Sequence, residues 1–131
     1  MKFFLLLIPV FLLTMSKESC RNKKSKTYDS CFKGKLEIKA ACMNYTIGIV
    51  KGNIDSNLIN PTWRNESTGK IYKNVFALAS RCTFPATIKE GDEFYFMIDS
   101  TSVQNCAVCM IYYPVPGKKL SIKVIQDPCS Q

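Results

Sequence analysis

The 131-residue chain contains no histidine. That removes the commonest general base, the Ser-His and Cys-His nucleophile pairs and the usual zinc ligand. The carboxylates add little, because Glu90, Asp92 and Glu93 surround Gly91 as a solvated turn does, without the look of an acid/base pair. After residue 16 no apolar run approaches the roughly 20 residues needed to span a bilayer, so no transmembrane segment is expected. There is no internal repeat, no long helical periodicity and no nucleic-acid-binding motif. These absences favour a non-enzymatic protein without a cofactor or metal.

What is present begins with a leader. Met1 and Lys2 precede an unbroken apolar run of eleven residues, 3–13, and Thr14, Met15 and Ser16 follow before charge resumes at Lys17. This is the layout of an export signal over residues 1–16, and Pro9 argues against a membrane anchor. Thr14 and Ser16 favour cleavage before Lys17, with Ser19 marking a second position. Removal of the leader leaves about 115 residues, enough for one soluble, secreted domain with a modest core.

Charge is uneven in that remainder. Residues 17–39 hold eight Lys/Arg against three acids, and the rest holds nine against seven. The excess is concentrated in a basic arm, residues 17–30, that includes Arg21, Lys23, Lys24 and Lys26. Such a cluster either draws in sulfated glycans and acidic protein faces or stays a solvated arm. Seven cysteines (Cys20, Cys31, Cys42, Cys82, Cys106, Cys109 and Cys129) read as disulfides in an exported chain, with one thiol over after three bonds. The Cys106-x-x-Cys109 spacing lacks the helix N-terminus and basic neighbour of a redox motif, and lacks the second pair of a zinc site. Asn44 and Asn65 head glycosylation sequons, and Asn65, in a polar stretch, is the better placed of the two.

Residues 35–42 alternate apolar and charged side chains as a half-buried strand, and residues 45–50 form a second β run. Residues 52–69 read as a long surface loop in which Trp63 either anchors a partner or folds back on the core, with burial favoured. Residues 71–79 lean to strand, and residues 93–98 form a strand covered on both faces. Residues 108–113 and 119–125 flank Pro114 to Gly117 as a hairpin. Five or six short strands predict an all-β barrel or sandwich.

The order of these features resembles the netrin-like domain, in the form found in tissue inhibitors of metalloproteinases. The resemblance rests on the Cys31 to Cys42 spacing with the β run at residues 44–52 (NYTIGIVKG). It continues through residues 75–82 (VFALASRC), residues 88–98 (IKEGDEFYFMI) and residues 117–129 (GKKLSIKVIQDPC). It implies a small OB-type barrel over residues 31–131, stapled by disulfides, and a secreted inhibitor of an extracellular protease of the metalloproteinase class. Its N-terminal ridge would lie near Cys20, Arg21, Lys23, Lys24, Lys26 and Cys31. In that family a terminal cysteine chelates the target's zinc. Here Asp29 stands where that cysteine belongs, and Cys20 is fourth from the expected terminus, so the chelating role is not carried over. The resemblance also implies pairing of Cys31 with Cys129 and of Cys20, or a substitute, with Cys82. Cys42, Cys106 and Cys109 would then share one bond and one leftover thiol. A basic netrin-like module that binds sulfated glycans or a signalling protein is the alternative.

Overall fold

A computed structural model describes residues 31–126. The leader, the basic arm with Cys20, Arg21, Lys23, Lys24 and Lys26, and Cys129 lie outside the described residues. The described residues form an all-β structure with seven strands and no α-helix, and no helix among them is long and apolar enough to cross a membrane.

The alternation at the start of the domain builds the central strand. In β1, Phe32–Lys39, every even residue is buried and every odd one, from Lys33 to Lys39, is half-exposed. β1 lies between β2 (Tyr45–Lys51) and β5 (Glu93–Ile98), antiparallel to both. The register sets Leu36 opposite Ile47 and Phe32 opposite Phe96, so one face of three strands meets as core. Gly34 is required there, because a Cβ would stand 2.9 Å from Phe96 Cε1 and 3.2 Å from Ile47 Cγ2. The Phe96 ring then reaches Phe32, Phe76 and Phe94 at centroid separations of 5.5, 5.9 and 6.0 Å. Full burial of such side chains contributes roughly 1.5–3 kcal/mol each.

Beyond β2 the sheet continues through β4 (Ile71–Leu78) to β3 (Asn60–Arg64), and beyond β5 to β7 (Ile122–Ile125). A two-residue strand, β6 (Lys119–Leu120), leaves this path and pairs with β4 in parallel. β3 corrects the expected loop over residues 52–69. Pro61 reads as a strand breaker, yet β3 is an edge strand, where a missing N–H costs no ladder bond. Trp63 therefore sits on β3, half-buried and opposite Tyr72, with the two rings 5.7 Å apart, rather than on a loop or in the core.

Two further expectations change. Residues 108–113 form no strand, so the hairpin around Pro114 and Pro116 is absent; the segment runs as a strap, and residues 119–125 pair with β4 and β5 instead. The second face of β5 is not covered either. Met97 is exposed and Tyr95 half-buried under the Lys33 ammonium, 5.7 Å from the ring centre.

The disulfides explain the strap. Cys42 joins Cys109 and Cys82 joins Cys106, with Cα separations of 5.1 and 5.6 Å, and Cys31 is disulfide-bonded as well. Cys106 thus takes the place considered for Cys20 as partner of Cys82. None of Cys42, Cys106 and Cys109 is the leftover thiol. The expected partner of Cys31, Cys129, is outside the described residues.

Candidate functional site

The turn after β1 is held in an unusual shape. Cys42 and Met43 have φ of 58° and 56°, the left-handed region that costs a non-glycine residue roughly 1–2 kcal/mol. Such a conformation persists only where its surroundings fix it. Three links do so. Cys42 is bonded to Cys109, Asn44 donates from Nδ2 to the carbonyls of Ala41 (2.9 Å) and Ile111 (2.8 Å), and the Ile111 amide donates to Cys42 Sγ (3.4 Å).

These links clamp the strap against the turn and leave its side chains in solvent. Met110, Ile111 and Tyr112 are 98%, 62% and 81% exposed, and Met43 beside them is 37% exposed. The strap then dives inward. The Tyr113 hydroxyl accepts from Asn65 Nδ2 at 3.2 Å, and Pro114 and Pro116 are buried. Three consecutive large residues exposed on a disulfide-held frame form a ledge of apolar surface. The chain that carries it brings no acid of its own, since residues 101–126 contain no Asp or Glu.

The carboxylates around β5 are engaged in the frame. Glu90 Oε2 accepts from the Lys39 amide (2.8 Å), Asp92 Oδ2 from the Lys89 amide (2.8 Å), and Glu93 pairs with Lys33 at 2.7 Å. The hydrogen bond and charge of Glu93 raise the Lys33 pKa above the ordinary lysine value. Asp99 is held below the ordinary carboxylate value, because its Oδ1 accepts from the Thr101 hydroxyl (2.6 Å) and amide (3.0 Å). Among the described residues no three His, Cys, Asp or Glu side chains gather as a metal site.

Of the ridge residues expected from the sequence, Cys31 is described; it is half-buried at the start of β1 and away from solvent-facing chemistry of its own. Both sequon asparagines differ from expectation. Asn65 is fully buried and Asn44 is 8% exposed, and the Nδ2 atom that a glycan would occupy donates a hydrogen bond in each. Polar neighbours suggest a surface site, but the turn after β3 folds Asn65 inward, where its Oδ1 also accepts from the Ser67 amide at 2.9 Å.

The ledge itself escaped the sequence reading. Its apolar run matches a strand, and the signal that distinguishes it is Cys106 and Cys109 bracketing the approach with Pro114 and Pro116 closing the exit. No family model, curated protein or solved structure matches this chain, which leaves the ledge and its surroundings as the grounds for a functional reading.

Proposed function

We propose that this chain is a secreted, non-enzymatic binding protein with an OB-type, netrin-like barrel, and that it blocks an extracellular protease of the metalloproteinase class by inserting the 110–112 ledge into a concave site. The ledge is the observation that carries the reading. Exposed aromatic and sulfur-containing side chains are strong contributors to protein interfaces, and a frame fixed before binding avoids much of the ordering cost. Two disulfides within the domain suit an oxidising compartment, in line with the leader.

The barrel has its own support. β6 and β7 are separated only by Ser121, and the carbonyls of Lys118 and Leu120 accept from Ala77 and Ala79 on the β4 side, while that of Ser121 accepts from Asp99 on the β5 side. Placement of the consecutive short strands β6 and β7 against β4 and β5 respectively supports the barrel reading.

Titration of the mature, disulfide-intact protein against a matrix metalloproteinase catalytic domain, read with a fluorogenic peptide, tests the function. Inhibition by the natural sequence and its loss in a Met110→Asp/Ile111→Asp variant of unchanged melting temperature are expected. No inhibition by the natural sequence would reject the protease reading, and full inhibition by the variant would reject the ledge.

A further inference from the structure

Against the start of the strap lies an open groove of about 280 Å³ lined by Leu78, Ala79, Arg81, Gln104, Val108 and Lys119, with the Cys82–Cys106 disulfide in its wall. Its volume is at the bottom of the range for small-molecule pockets and suits one or two side chains of a larger partner. Its walls are apolar apart from Gln104 and two cations. The Gln104 amide is already committed, since its Oε1 accepts from the Cys82 amide and its Nε2 donates to Ser102 Oγ.

The two cations are not committed. Among the described residues the ion pairs are Lys33–Glu93 and Lys35–Glu37, so neither Arg81 nor Lys119 has a carboxylate within salt-bridge distance. Arg81 is half-buried beside buried Leu78 and Ser80, and Lys119 is exposed. A cation partly screened from water gains more from an incoming anion than a fully solvated one does. The strap from residue 101 onward and the lining residues of β4 and β6 bring no acid of their own.

We propose that this groove receives an acidic, leucine-type segment of the protein partner, with a carboxylate seated by Arg81 and Lys119 and an apolar side chain against Leu78, Ala79 and Val108. The proposal deepens the binding function above and rests on it for the identity of the partner as a protein. A purely anionic glycan would satisfy the cations but leave the apolar walls in water. The strap carries both features, because Val108 lines the groove and Met110 begins the ledge two residues on.

An NMR titration of the isotope-labelled, disulfide-intact protein tests this without the natural partner. The probe is a capped hexapeptide alternating glutamate and leucine, and the controls are a lysine–leucine hexapeptide, a glutamate–serine hexapeptide and a heparin hexasaccharide. Shifts confined to the amides of Ala79, Arg81, Cys82, Gln104, Val108 and Lys119, and strongest for the glutamate–leucine peptide, are expected. Arg81→Glu/Lys119→Glu should weaken binding by about tenfold or more, and the milder Arg81→Gln/Lys119→Gln serves if the reversal lowers the melting temperature. Equal response to the lysine–leucine peptide, shifts elsewhere, indifference to both variants, or tighter occupation of the same amides by the heparin fragment would each overturn the proposal. Peptide binding at the groove by a protein that inhibits no protease would keep the groove and reject the inhibitor reading, so loss of one result does not entail loss of the other.

Discussion

Asn65 offers no exposed amide nitrogen to a sugar. Its side chain is fully buried, bonded through Nδ2 to the Tyr113 hydroxyl and through Oδ1 to the Ser67 amide, the second of these an Asx turn made from the sequon's own serine. Folded protein secreted from a eukaryotic host should therefore carry no glycan at Asn65, and intact mass before and after enzymatic deglycosylation checks this. Tyr113→Phe should cost about 1–3 kcal/mol in denaturant unfolding, because it removes a partner and leaves a buried amide donor unpaired. Asp99 gives a pH signature of opposite character. Its folded pKa lies below the ordinary carboxylate value, so its contribution is present at neutral pH, above the unfolded pKa, and is lost as pH falls through the lower, folded value. A carboxyl-carbon NMR titration should place Asp99 below the ordinary aspartate value, and Thr101→Val should move it back up.

At the scale of elements, the strands that declare themselves in sequence are those with one wet face. β1 alternates because its odd residues meet solvent, and Leu120, Ile122 and Val124 alternate for the same reason in β6 and β7. The strap fooled the pattern because its apolar residues are exposed for reasons that composition does not encode. Cys106 and Cys109 are each claimed by a different element, and two prolines remove ladder donors just downstream. β3 was hidden by Pro61 and by its five-residue length, and the ledge, the groove and the disulfide partners all depend on long-range pairing. The two bonds should differ in weight. In the chain-entropy account a closure spanning 67 residues contributes about 4 kcal/mol and one spanning 24 about 3 kcal/mol. Cys42→Ser/Cys109→Ser should thus lower stability more than Cys82→Ser/Cys106→Ser, and it should also release Met43 from its left-handed conformation. Denaturant midpoints for the two double variants decide the order, and a larger loss at Cys82 and Cys106 would contradict it.

At the scale of the whole molecule, the ledge and groove depend on the seam where β4 meets β6 and the start of β7, because the groove is lined by residues on both sides of that seam and the ledge lies on the chain that leads into it. Ser80 is the seam's rivet. Its buried hydroxyl donates to the Ile122 carbonyl (2.9 Å) and accepts from the Ile122 amide (2.8 Å), tying the end of β4 to the start of β7 where regular pairing has stopped. Removing the hydroxyl leaves both backbone groups unpaired in the core, so Ser80→Ala should cost about 1–3 kcal/mol. If the sheet closes through this seam, the amides of Ala77, Ala79 and Ile122 should exchange with solvent only through global unfolding, alongside Leu36 and Ile47 of the central strands. Ser80→Ala should then lower protection of all five together. Were the seam merely an edge laid against β4, Ala77, Ala79 and Ile122 would exchange by local opening in the natural sequence, and Ser80→Ala would leave Leu36 and Ile47 unchanged. Hydrogen exchange thus separates a barrel that transmits order to the ledge from an open sheet that leaves it dependent on the Cys42–Cys109 bond alone.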